Sequence, residues 1–181
     1  VMYDPIAQVW NKFDGATGKV VNISDAIGYP MFVESYDQPA PAPAYGIAGW
    51  TADGNHVFLY DAYDWWKVDL TGERQPECLT KGYGRKHGKS IRKMTSNIDK
   101  DVFQKDETVI VSLWDKNTMD EGVYQLDMKG RLKKLMEGPY TYNIYRFSDN
   151  HKYCVWNRQN ITEFRDLWWS KADFSNPLVE G

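Results

Sequence analysis

The sequence predicts an all-β fold, a partial β-propeller of roughly four blade-like antiparallel sheets. Three observations carry that expectation. A third-strand signature, made of an aromatic residue, two further positions and an aspartate before a turn, occurs as Trp66-Lys-Val-Asp69 and again as Tyr124-Gln-Leu-Asp127. Anchor aromatics at Trp10, Trp66, Tyr124 and Trp168 recur at spacings of 56, 58 and 44 residues, against the roughly 40–50 residues that a four-stranded blade occupies. Dipeptides such as Asp53-Gly54 and Thr71-Gly72 punctuate runs of β-branched and aromatic residues, because glycine accepts the positive φ of tight hairpins. A β-sandwich with regular turns is the alternative, and recurrence at blade-like distance favours the propeller.

Taken in order, the units fall at 1–24, 29–80, 91–138 and 142–180 within a single segment. The first holds Ala7-Gln-Val-Trp10-Asn-Lys-Phe13, a glycine-containing turn and Lys19-Val-Val-Asn-Ile23. The second holds three apolar runs, at 57–61, 64–70 and 76–80, each short and β-rich enough for a strand. The third repeats them as Val109-Ile-Val-Ser-Leu-Trp-Asp115, Tyr124-Gln-Leu-Asp127 and Leu132-Lys-Lys-Leu-Met136. The fourth is looser: Tyr153-Cys-Val-Trp156 is its second strand, and Leu167-Trp-Trp-Ser-Lys171 its third, with Lys171 in the aspartate position. Insertions at 37–44, rich in proline, and at 82–90, rich in glycine and cations, lengthen the first two spacings. The pairs Trp65-Trp66 and Trp168-Trp169 point to opposite faces of their strands, and neighbouring sheets are expected to bury both faces.

Composition bounds the function. The 181 residues suit one domain, and 15% aromatic content suits side chains filling the space between sheets. A formal charge of −3 gives no general attraction to nucleic acid or anionic lipid. No run approaches the eighteen apolar residues of a membrane helix. Cys78 and Cys154 lie in different units and read as free thiols. The chain begins inside a strand pattern with no signal-peptide character, which predicts a segment excised from a longer protein.

Motif chemistry is sparse. Gly82-Tyr-Gly-Arg-Lys-His-Gly88-Lys89-Ser90 approaches a phosphate-binding loop, yet neither Gly82 nor Gly84 stands four residues before Gly88-Lys89 as that loop requires. The same segment gathers Arg85, Lys86, His87 and Lys89, a candidate ligand-contacting loop for carboxylates or phosphates; a solvated connection is the plainer reading. There is no Gly-x-Ser-x-Gly nucleophile elbow, no Cys-x-x-Cys or His-x-x-x-His metal pair, and no expected cofactor. Asp69 and Asp127 read as turn residues whose carboxylates accept nearby backbone amides. Asn22-Ile-Ser24 and Asn160-Ile-Thr162 match the short glycosylation pattern.

Tyr45-Gly-Ile-Ala-Gly-Trp-Thr-Ala-Asp-Gly54 and the run from Val57 to Leu70 resemble the propeller domain of secreted bacterial prolyl oligopeptidase or dipeptidyl-peptidase-type serine peptidases. Leu79-Thr-Lys-Gly-Tyr-Gly-Arg85 and Gly138-Pro-Tyr-Thr-Tyr142 are similar to segments of the same family. The resemblance implies a non-catalytic segment that scaffolds and gates substrate access, partnered by an α/β-hydrolase domain and a peptide substrate, in the periplasm or outside the cell. None of that family's catalytic residues has a counterpart here. Two other readings stand beside it: a glycan- or protein-binding propeller module, and a fragment of a propeller glycosidase or lyase. Uncovered sheet faces also predict self-association of the isolated segment.

Overall fold

The computed structural model describes residues 1–96 and 100–179; residue 180, the end of the fourth expected unit, lies outside them. Four sheets follow one another along the chain. Sheet I pairs β1 (Met2–Asp4), β2 (Val9–Phe13) and β3 (Val20–Asn22). Sheet II takes β4 (Ile47–Thr51), β5 (His56–Tyr60), β6 (Trp65–Asp69) and β7 (Glu77–Cys78) as a meander. After it come a one-turn helix, α1 (Tyr83–His87), and β8 (Lys89–Lys93). The two-residue β9 (Val102–Phe103) returns to sheet II and lies parallel to β4, pairing Trp50 with Val102. Sheet III orders β12 (Leu132–Gly138), β11 (Glu121–Asp127), β10 (Thr108–Asp115) and β8. Sheet IV is β13 (Thr141–Phe147), β14 (Tyr153–Gln159), β15 (Asp166–Lys171) and β16 (Leu178–Val179).

The turn chemistry is what the sequence implied. Asp69 Oδ1 accepts the Thr71 amide at 2.7 Å and its Oδ2 the Arg74 amide at 3.0 Å. Asp127 Oδ1 accepts the amides of Lys129 and Arg131 at 3.0 and 2.9 Å. Both carboxyls lie below their usual range: the Thr71 hydroxyl bond leads at Asp69, while at Asp127 the hydrogen bonds from Arg131 and Lys129 outweigh burial. Asn22 and Asn160 spend their side-chain oxygens in the same manner, on Ser24 and Thr162.

Packing runs in sequence order. Trp10 of sheet I meets Val57, Leu59 and Val68 of sheet II. The opposite face of sheet II, with Phe58, Tyr60 and Trp65, meets Ile91, Val111, Leu113 and Leu126 of sheet III. Val123, on the other face of sheet III, joins Ile144, Phe147 and Trp156 of sheet IV. Period-two alternation makes this possible, since successive residues of one strand feed two cores. Trp65 is fully buried, and its indole N–H donates to the Ile91 carbonyl at 3.2 Å, tying two sheets together.

The β-propeller expectation is corrected here. The chain is all-β in gross terms, but its four sheets are separate and none closes on another. No core cluster among the described residues joins sheet I to sheet IV. Hairpin signatures specify meanders and the faces they bury, which are local properties; they carry no term for closing a ring. Strand counts of three, five, four and four also depart from uniform four-stranded blades. The expectation that both members of each tryptophan pair are buried fails in both sheets: in sheet II, Trp65 is buried but Trp66 only partly so. In sheet IV, Trp168 stacks on Trp156 at 5.5 Å, whereas Trp169 faces outward and is 43% exposed.

Candidate functional site

The 82–90 insertion, expected as a solvated connection, is a built element. Gly82 and Gly88 bracket α1 with left-handed backbone, φ 70° and 67°, a conformation cheap only for glycine. The helix has no local side-chain cap. Its exposed amides are met from a distance by Asp64, which is 1% exposed at the start of β6. Asp64 Oδ1 accepts the Gly84 amide at 2.9 Å and the Thr80 hydroxyl at 2.6 Å, and Oδ2 accepts the Arg85 amide at 3.0 Å. A carboxylate here satisfies orphan donors at the positive end of the helix. Gly84 permits the close approach: a Cβ would stand 2.6 Å from the carbonyls of both Lys89 and Tyr63.

Asp61, fully buried in the β5–β6 turn, holds the side chains. Its Oδ1 accepts the amides of Tyr63 and Asp64 at 2.7 and 2.6 Å. Its Oδ2 accepts the Trp66 indole at 3.1 Å and Arg85 Nη2 at 3.0 Å. Its backbone carbonyl accepts Arg92 Nη2 at 2.7 Å. The Arg85 guanidinium lies 3.8 Å above the Tyr29 ring and 4.9 Å from that of Tyr63. Its Nε is buried with no hydrogen-bond partner, and the side chain stays 31% exposed.

A cavity of about 420 Å3 opens beside this guanidinium, lined by Tyr29, Asp61, Trp66, Cys78, Arg85 and Lys86 among others. The four residues singled out in the sequence therefore separate. Arg85 and Lys86 reach the cavity. His87 does not line it and packs against the Tyr83 ring, centroids 4.4 Å apart and tilted by 36°. Lys89 forms an ion pair with Glu137 of sheet III. Sequence reasoning missed Asp61, Asp64, Tyr29 and Trp66, which lie 19 to 56 positions before Arg85 and share no spacing motif with the basic run.

The site binds better than it reacts. Every oxygen of the Asp61 and Asp64 carboxylates already accepts a hydrogen bond. Burial pushes the Cys78 thiol up, although the Gly82 amide donates to its sulfur, so the nucleophilic thiolate is disfavoured at neutral pH. Both cysteines are free. Among the described residues, no three His, Cys, Asp or Glu side chains are placed to hold a metal ion, and no helix is long and apolar enough to cross a membrane.

The resemblance to serine-peptidase propellers, the gating role drawn from it, and the alternatives of a glycan- or protein-binding propeller module and a propeller glycosidase or lyase fragment do not hold, because the sheets do not close into a propeller. No protein-family model and no curated protein sequence matches this chain.

Proposed function

We propose that this chain is a non-enzymatic recognition module that captures a peptide carboxylate at Arg85. The observation that carries the reading is the preorganised guanidinium: Asp61 fixes one edge, Tyr29 covers one face, and the rest borders a cavity. Nε is buried and one Nη2 hydrogen goes to Asp61, which leaves the two Nη1 hydrogens and the second Nη2 hydrogen for a ligand. An arginine so held has already lost most of its rotamer entropy, about 2 kcal/mol when free. Its fork matches a carboxylate with two parallel hydrogen bonds. Lys86 adds a second cation, and Tyr29 and Trp66, with ring centroids 6.0 Å apart, supply an aromatic wall for the adjoining side chain.

Calorimetric titration tests this with acetyl-Phe-Phe bearing a free C-terminal carboxylate and with its C-terminal amide. The acid is expected to bind at least about tenfold more tightly than the amide, a difference of about 1.4 kcal/mol. Arg85→Gln is expected to erase that difference. Equal binding of acid and amide to the wild-type chain contradicts the proposal.

A further inference from the structure

A second cavity, larger than that beside Arg85, lies at the seam between sheets II and III, and we infer that it binds an anion carrying an apolar tail. Its volume is about 460 Å3, within the range of roughly 300–1,000 Å3 typical of small-molecule sites. The floor is apolar: Phe58 and Phe103, both buried, meet edge to face at 5.8 Å, and Met128 closes one side. The rim is cationic. Lys67 of β6, Lys105 of the loop after β9 and Lys129 of the β11–β12 turn all line it, so three separate stretches of chain converge amines on one opening.

These amines are poorly neutralised by the protein. Lys67 and Lys105 have no carboxylate within ion-pair distance among the described residues, and Lys129 has only the exposed Asp106 at 3.7 Å. The one acidic residue of the lining, Asp53, spends its carboxylate on the Thr51 hydroxyl and the Asn55 amide, at 2.5 and 2.9 Å. His56, also in the lining, has its Nδ1 buried with no hydrogen-bond partner. Like charges held together at the mouth of a low-dielectric cleft focus a potential that favours a counter-ion.

The fold is arranged to make this cavity. Its floor needs Phe103, which reaches the seam only because β9 lies parallel against β4. That approach is licensed by Gly49, φ +153°, where a Cβ would stand 2.6 Å from both the Asp101 carbonyl and the Phe103 ring. An apolar floor has nothing to offer a bare inorganic anion, and a cationic rim repels an apolar cation. The chemistry that satisfies both is an alkyl or aryl carboxylate, sulfonate or phosphate ester.

The test titrates the whole chain with octanoate, octylammonium and inorganic phosphate, following backbone amide shifts by NMR. Octanoate is expected to shift, in a saturable way, the amides of Phe58, Phe103 and Met128, which line this cavity and not the one beside Arg85. Lys67→Gln and Lys105→Gln, both rim substitutions, are each expected to weaken it about threefold or more. Arg85→Gln is expected to leave it unchanged, which separates this site from the carboxylate site above. Failure of octanoate to saturate by about 5 mM, equal binding of phosphate or octylammonium, indifference to both lysine variants, or loss of binding in Arg85→Gln would each overturn the inference.

Discussion

The carboxylate of Asp64 accepts the backbone N–H of Arg85 at 3.0 Å across twenty-one positions of chain, |i−j| = 21. With the bonds from Gly84 and Thr80, it helps pin a five-residue helix, since one turn alone is far below the length of a stable helix. Asp64→Ala leaves the buried Gly84 and Thr80 donors and the part-buried Arg85 amide unpaired, each buried donor costing about 1–3 kcal/mol. We expect a loss of about 3–5 kcal/mol in urea unfolding, with amide exchange at Gly84 and Arg85 accelerated. A loss below about 1 kcal/mol would mean that α1 is held by other contacts.

Gly130, in the β11–β12 turn, presses against the end of sheet II. Its φ is +79°, and a Cβ would come within 1.8 Å of the Leu79 carbonyl. Gly72 has a similar φ of +86° but faces open space. Gly72→Ala should cost only the left-handed penalty, about 1–2 kcal/mol. Gly130→Ala should cost about 2 kcal/mol more, because the turn must retreat from the neighbouring sheet. Equal losses in the two variants would show that this inter-sheet approach is not tight.

Glu121 gives a pH signature. It accepts the Tyr142 amide at 2.8 Å, yet burial pushes its carboxyl above the usual range. A native state that holds this proton more tightly than the unfolded chain gains stability that is complete below the unfolded pKa, near 4.3, and is lost as pH rises through the higher folded value. Glu121→Gln keeps the acceptor and removes the titration. Its melting temperature relative to wild type should therefore be more favourable at pH 7 than at pH 4. A difference independent of pH would show that Glu121 titrates alike in both states.

Sheets I and IV each present an apolar outer face. Tyr153, Leu167 and Trp169 are exposed on the outer face of sheet IV, as are Met2, Phe13 and Val20 on sheet I. Inside the chain, each such face is covered by the next sheet. We propose that a second copy continues the series, its sheet I on the first copy's sheet IV, a head-to-tail contact that does not close. Light scattering should show mass rising with concentration, and Trp169→Lys should suppress the rise. A wild-type chain that stays monomeric at about 100 μM, where a complex of even micromolar affinity is nearly fully formed, contradicts this.

The legible part of the molecule was the local part. Trp66-x-x-Asp69 and Tyr124-x-x-Asp127 marked β6 and β11 because strand alternation and the aspartate turn act within a few residues. What lay beyond the sequence was long-range. Nothing near Arg85 announces that Asp61, twenty-four positions earlier, |i−j| = 24, will fix it. The two residues of β9 are too few to show a period, and the parallel pairing depends on Gly49. Closure of the sheets failed as an expectation for the same reason, since it depends on how first and last faces meet. At the site, the basic run was visible but its division was not: Arg85 and Lys86 turn to the cavity, while His87 and Lys89 go to Tyr83 and Glu137.

The most direct test of carboxylate recognition observes the Arg85 side chain itself. In a nitrogen-15-labelled chain, the Arg85 Nε–Hε resonance, assigned by its loss in Arg85→Gln, is followed during titration with acetyl-Phe-Phe. The account predicts a saturable shift of this resonance, with the Arg92 and Arg158 signals in place and no response to the amidated peptide. A resonance that stays fixed while the peptide binds, or one that moves equally for acid and amide, would contradict it.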